Sequence, residues 1–118
     1  MGTSAWKDPS TGGVHLAITG DVSVTARGNA LQVSNNNNID GTIGGNLTVK
    51  TTPVGGGVGL YASAGEHDAT IDRGILLTLN GGEASITTDG FGIETDSSSA
   101  TVKIEGASKT TISSTYVA

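Results

Sequence analysis

Apolar and polar residues alternate along most of this chain, in short runs separated by glycine, asparagine, aspartate and serine. The alternation begins at Val14, where Val14, Leu16 and Ile18 fall on one side of an extended segment, and it recurs as far as Ile112. A two-residue period that is rich in β-branched residues is typical of β-strands. No segment of useful length carries the 3.6-residue stripe of a helix. The pattern therefore predicts an all-β protein with about twelve short strands.

These strands are organised in a weak internal repeat. Residues 28–49, 57–79 and 90–112 align with one another, and residues 15–24 form a partial fourth copy. Each copy contains a strand, a polar turn, a second strand, a glycine corner and a third strand. Similarity at a fixed period is typical of a solenoid, in which each repeat stacks on its neighbours.

The predicted glycine corners indicate which solenoid this is. Gly20, Gly45, Gly74 and Gly106 recur at intervals of about 25 to 32 residues, which fits a three-sided parallel β-helix and is too long for a hexapeptide solenoid. We predict about four coils within residues 14–118, preceded by an N-terminal tail, linker or cap in residues 1–13. An antiparallel sandwich also fits the turn spacing, but the head-to-tail repeat favours the solenoid.

A solenoid of about four coils exposes sheet edges at both of its ends. Strands of adjacent coils lie about 4.8 Å apart, so four coils rise only about 20 Å. Open edges aggregate unless they are covered. We therefore expect these edges to be covered by further coils of a longer protein or by a second copy of the chain.

Composition narrows the classes of function. The net charge is −5, with six Lys and Arg against eleven Asp and Glu. This balance provides no basic patch for nucleic acid or for anionic lipid. No apolar run reaches the length of a membrane helix, so we expect no membrane insertion in this segment. Cysteine is absent, which excludes disulfides and thiolate metal sites.

The segments GVGLYASAGEHDATIDRGILLTL (residues 57–79) and GFGIETDSSSATVKIEG (residues 90–106) resemble passenger-domain repeats of Gram-negative autotransporter adhesins. In those repeats a glycine-rich strand leads to a polar turn, then to a strand that ends in glycine and to an L-T-L-type strand. The resemblance covers roughly residues 14–112, which is most of the chain. It implies an extracellular, right-handed parallel β-helix at the bacterial cell surface, with no catalytic residues and no cofactor. Phage tail-spike and tail-fibre β-helices have a similar appearance.

Paired carboxylates are the catalytic signature of β-helical polysaccharide enzymes. Asp40, Asp72 and Lys103 fall at equivalent positions in successive repeats, which predicts that Asp40 and Asp72 stack on an outer face. Neither belongs to an Asp-Asp pair or to the Asn-Thr-Asp strand of pectinases. A stack of solvated charges is the more ordinary interpretation, and we predict no catalytic residues.

Two other features are candidate surface-binding positions. Pro53 lies in the longest predicted loop, and His67 stands on a turn between Glu66 and Asp68. No second histidine lies near His67, so we predict no metal site there.

Two sets of polar residues are candidates for ladders of stacked side chains. Outward threonines could bind ice or glycans, but only Thr48 and Thr78 fall in register in the aligned repeats. The segment Asn35–Asn38 is predicted to be a polar turn rather than an asparagine ladder.

These observations favour a non-catalytic cell-surface β-helix module that acts in adhesion or self-association. Its partners would be host or bacterial surface glycans or proteins, or a second copy. The alternatives are a phage tail-fibre or tail-spike segment and, less favoured, a polysaccharide-degrading β-helix.

Overall fold

The computed structural model describes residues 13–33, 38–52, 56–63, 73–96 and 100–114 of the 118-residue chain. These residues form eleven β-strands and no helix, which confirms the prediction of an all-β protein. The strands are β1 (Gly13–Ile18), β2 (Val22–Ala26), β3 (Leu31–Val33), β4 (Asn38–Ile43), β5 (Leu47–Thr51), β6 (Leu60–Ala62), β7 (Arg73–Leu79), β8 (Glu83–Thr88), β9 (Ile93–Thr95), β10 (Ala100–Glu105) and β11 (Lys109–Ser114).

The strands form three parallel sheets. Sheet I has the order β1-β4-β7-β10, sheet II the order β2-β5-β8-β11 and sheet III the order β3-β6-β9. Each strand thus pairs with the strand three further along the chain, and the chain visits the three sheets in turn. We call one such visit to the three sheets a circuit. All described strand pairs are parallel, so the alternative of an antiparallel sandwich is wrong.

Burial alternates along the strands as the hydrophobic pattern predicts. In β5, Leu47 and Val49 are buried, whereas Thr48 and Lys50 are exposed. The register places inward residues of successive circuits side by side, as with Ile43 and Leu79 of sheet I. The buried apolar residues are all aliphatic: Val33, Ile43, Leu47, Val49, Val58, Leu60, Ala62, Ile75, Leu77, Leu79, Ala84 and Ile86.

Three of the four predicted glycine corners are confirmed. Gly20, Gly45 and Gly106 each follow a strand of sheet I. Gly74 was predicted as the fourth corner, and this prediction is wrong because Gly74 lies inside β7. The chain of that circuit turns instead at residues 80–82, where the Gly81 N–H donates to the Gly106 carbonyl at 2.9 Å. A Cβ atom at position 82 would overlap the Gly45 carbonyl oxygen, so this corner requires glycine.

The asparagine run departs from its prediction at its last residue. Asn38 begins strand β4 and is fully buried, rather than forming part of a solvated turn. Its Oδ1 accepts a hydrogen bond from the Gly74 N–H of the next circuit at 3.0 Å. Asn35, Asn36 and Asn37 lie outside the described residues.

Candidate binding surfaces

Sheet II presents an ordered array of hydroxyl groups on its outward side. Two rows of outward side chains cross all four of its strands. The rows are Ser23, Thr48, Ser85 and Thr111, and then Thr25, Lys50, Thr87 and Ser113. We call these eight residues the hydroxyl face. Ser85 is half-buried and the other seven are exposed.

The spacing of this array follows from the geometry of a parallel sheet. Neighbours within a row lie about 4.8 Å apart, and the two rows lie about 6.7 Å apart along the strands. Lys50 is the single charged residue among the eight. The hydroxyl face therefore offers many closely spaced donors and acceptors with little net charge.

Sequence alignment of the repeats missed this array. It placed Thr48 in register with Thr78, but Thr48 pairs with Ser85, whereas Thr78 belongs to sheet I and pairs with Thr42. The predicted Thr48–Thr78 register is therefore wrong. The array could have been found from the residues that face outward on each strand of sheet II, because almost all of them are Ser or Thr.

A column of polar and charged side chains borders the hydroxyl face where sheet I turns into sheet II. We call it the corner column; its members are Asp21, Asn46, Glu83 and Lys109, one per circuit. Asp21 Oδ1 accepts a hydrogen bond from the Asn46 N–H at 2.8 Å, and Asn46 Oδ1 accepts one from the Glu83 N–H at 2.9 Å. Asp21 and Asn46 thus each satisfy a backbone donor of the next circuit, which the turn would otherwise leave to water.

The outward side of sheet I carries the predicted site residue Asp40. Its Oδ1 lies 3.0 Å from His15 Nδ1, and the two residues are direct partners in β1 and β4. On its other side Asp40 pairs with Leu76, which in turn pairs with Lys103. The predicted column of Asp40 and Lys103 is confirmed.

The predicted stacking of Asp72 on Asp40 is wrong, because Leu76 occupies that position in the register. Asp72 itself lies outside the described residues, as do Pro53 and His67. What the register brings together beside Asp40 is a histidine and a leucine.

A groove of about 460 Å³ lies at the end of sheet I beside the corner column. Its polar lining comes from Thr19, Thr42, Thr78 and Asn80, and its apolar lining from Ile18, Ile43 and Leu79. The groove continues the outward side of sheet I and carries no charged side chain in its lining.

Asp89 joins Thr51 to Gly56 and Gly57, which lie on either side of residues 53–55 in the sequence. Its Oδ1 accepts hydrogen bonds from Thr51 Oγ1 at 2.6 Å and from the Gly57 N–H at 3.2 Å, and its Oδ2 accepts one from the Gly56 N–H at 2.9 Å. The hydrogen bond from Thr51 is the main reason that the pKa of Asp89 lies below its ordinary range, and the backbone donors act in the same direction. Sequence reasoning missed this role because the partners lie more than thirty residues away.

Sheet III carries a second polar pair on its outward side. Tyr61 Oη donates a hydrogen bond to Asp96 Oδ2 at 2.8 Å. This bond, and then burial, raise the pKa of the Tyr61 phenol above its ordinary value. The pair links β6 to the end of β9.

The described residues contain no group of three or more His, Cys, Asp or Glu side chains placed to hold a metal ion. None of the described segments is a helix that could span a membrane. No protein-family model, curated protein or solved structure matches this chain. The candidate surfaces therefore have to be interpreted from their own geometry.

Proposed function

We propose that this chain is a non-catalytic module of an extracellular bacterial surface protein that acts in adhesion or self-association. In this proposal its fold is a right-handed, three-sided parallel β-helix, and each circuit is one coil. The observation that supports the proposal best is the pairing of every strand with the strand three further along, in three parallel sheets. Aliphatic side chains fill the space inside, which suits a rigid scaffold that displays its outer faces.

The β-helix can be tested with engineered disulfides, since the chain has no cysteine of its own. Register partners in a parallel sheet have Cα atoms close enough for a disulfide. We expect three double variants to form intramolecular disulfides on oxidation: Ser23→Cys with Thr48→Cys, Thr48→Cys with Ser85→Cys, and Ser85→Cys with Thr111→Cys. Thr48→Cys with Thr78→Cys is the matched control, because these two positions belong to different sheets. Cross-linking of the control in place of the three pairs would contradict the fold.

The hydroxyl face is the surface that suits adhesion best. A single hydroxyl contributes a weak net interaction in water, because it already bonds to the solvent. Seven hydroxyls in two regular rows can engage a repeating polar ligand at several points, and linked weak contacts raise the overall affinity. A glycan or protein surface of the host or of a bacterium has this repeating polar character. The extracellular location rests on the resemblance to adhesin repeats.

Adhesion is tested by coating beads with the 118-residue chain and measuring their binding to defined glycans, to matrix proteins and to one another. We expect a variant with Thr48→Glu and Thr87→Glu, which places charge in the hydroxyl face, to lose binding. Gln32→Glu with Thr95→Glu is the control, because both residues are exposed in sheet III, outside the hydroxyl face and the groove. Absence of binding to any surface, or release of new reducing ends from a glycan, would contradict the proposal.

A further inference from the structure

The two ends of the stacked circuits are complementary to each other. We infer that copies of this chain stack head to tail, with β1 and β2 of one copy pairing in parallel with β10 and β11 of the next. The inference rests on the proposed β-helix and identifies a second copy as the partner of its ends. The first end is the outer edge of β1 and β2, and the second end is the outer edge of β10 and β11.

Aliphatic side chains face inward along the whole stack of circuits, but at both ends they are less buried than in the middle. In the middle of the stack Ile75 and Ile86 are completely buried. Their register partners at the second end are Val102, which is half-buried, and Ile112, which is 44% exposed. At the first end the inward residues Val14, Leu16, Ile18, Val22 and Val24 are all half-buried. Among the described residues, no further circuit packs against either end.

The register that joins the circuits also fixes which residues would meet between copies. If the register of sheet I continues from one copy to the next, Val14 of one copy lies beside Val102 of the next, and Leu16 lies beside Ile104. In the same way, the register of sheet II would place Val24 of one copy beside Ile112 of the next. Apolar residues would therefore meet apolar residues at these inward positions, and the exposed Ile112 would gain cover.

Charge complementarity supports the same register. The corner column would place Asp21 of one copy beside Lys109 of the next. In sheet I, Lys103 would meet the His15–Asp40 pair, and Glu105 would meet the uncharged Ala17. Among the described residues, the other charged side chains near the two ends are Arg27, Glu94 and Asp96. They flank or belong to sheet III, which adds no described strand to this contact.

The contact is heterologous, because two different surfaces meet. A contact between two copies of the same end reverses the strand direction at the junction, so the strands would pair antiparallel and Asp21 would not meet Lys109 in the register of the corner column. Head-to-tail pairing keeps the parallel pairing of each sheet and brings Asp21 beside Lys109. A heterologous contact without rotational closure produces open chains instead of a closed dimer.

Cross-linking between copies tests the direction of stacking. Ser23 and Thr111 are exposed members of one row of the hydroxyl face, at the first and second ends respectively. We expect an oxidised mixture of the single variants Ser23→Cys and Thr111→Cys to form disulfide-linked heterodimers, whereas neither variant does so alone. Thr48→Cys, from the middle of the same row, is the control and should not cross-link to either.

Two results would overturn the inference: cross-linking of one variant to itself in preference to the mixture, or monomers at every concentration in sedimentation velocity together with no cross-linking. The three intramolecular disulfides described under the proposed function test the β-helix without a second copy. If they form while copies do not cross-link, the stacking is wrong and the β-helix is not.

Charge reversal tests the Asp21–Lys109 contact. We expect Lys109→Glu to weaken association roughly fivefold at low salt, since it replaces an attraction by a repulsion. Lys109→Gln is the comparison, because it removes the attraction without adding a repulsion and should weaken association less. Mixing Lys109→Glu with Asp21→Lys should restore the association that each variant loses when it is alone. Equal association of Lys109→Glu, Lys109→Gln and the unchanged chain, with no difference in the mixture, would overturn the contact.

Discussion

Asn38 and Gly74 are direct partners in β4 and β7, and the fully buried Asn38 Oδ1 accepts the Gly74 N–H at 3.0 Å. On its other side Gly74 pairs with Thr101 of β10. Gly74 has a φ of +126°, and a Cβ atom there would overlap the Thr101 carbonyl oxygen. A hydrogen bond between buried groups of two strands can specify their register, because a shift of one strand would break it. We interpret this pair as a marker of the register between β4 and β7.

Replacing Asn38 by alanine should destabilise the protein by about 1–3 kcal/mol, because the buried Gly74 N–H would lose its acceptor. The measurement is the free energy of unfolding from urea denaturation. Asn80→Ala is the control, since Asn80 is exposed at a corner and should change stability by less than about 0.5 kcal/mol. Equal effects of the two variants would show that the buried amide is not needed.

Gly74→Ala should cost about 2 kcal/mol or more, because it combines an unfavourable positive φ with the overlap at Thr101. Gly20→Ala is the matched control, since a Cβ atom at Gly20 would meet nothing within 4 Å. Thermal unfolding followed by circular dichroism compares the two. A melting temperature of Gly74→Ala within a degree or so of the control would contradict the close approach of β7 and β10.

The free energy of unfolding should decrease at low pH, partly because of Asp89. Its pKa in the folded protein is lowered, chiefly by the hydrogen bond from Thr51, relative to about 3.9 in the unfolded chain. The contribution is therefore present above about pH 4 and is lost as the pH falls towards the lowered pKa of the folded state.

Thr51→Val removes the main donor and keeps the branched shape of the side chain. We expect this variant to raise the pKa of Asp89, measured by NMR titration of its carboxyl carbon, and to reduce the loss of stability below pH 4. An unchanged pKa in Thr51→Val would exclude Thr51 as the main cause.

Ile86 and Ile112 are register partners in sheet II, yet the first is completely buried and the second is 44% exposed. Ile86→Ala should therefore cost about 2–5 kcal/mol, and Ile112→Ala about 1 kcal/mol or less. Denaturant unfolding at low protein concentration, where copies are separate, provides the comparison. Similar losses in both variants would mean that Ile112 is buried in the isolated chain.

The alternation of apolar and polar residues was sufficient to predict which side chains face inward. Leu47 and Val49 are buried as predicted, and Gly20, Gly45 and Gly106 lie at turns. These features are local, since a two-residue period and a glycine after a strand depend only on near neighbours in the sequence.

The pairing between circuits could not be predicted in the same way. Repeats joined by turns of unequal length can slide past one another by two or four residues while each side chain keeps its inward or outward direction. Asp72 was predicted beside Asp40, but the true partner is Leu76, four residues further on. The contacts of Asp89 and Asn38 were missed for a related reason, because each joins residues of different circuits.

The common order of pairing in the three sheets determines how the molecule would respond to force. Hydrogen bonds between strands all join one circuit to the next, so tension applied along the stack acts on these junctions in series, and the weakest junction separates first. A force along the strands instead shears several of the bonds between two circuits at once. A protein built on this plan would resist pulling across the stack and would open one circuit at a time when pulled from its ends.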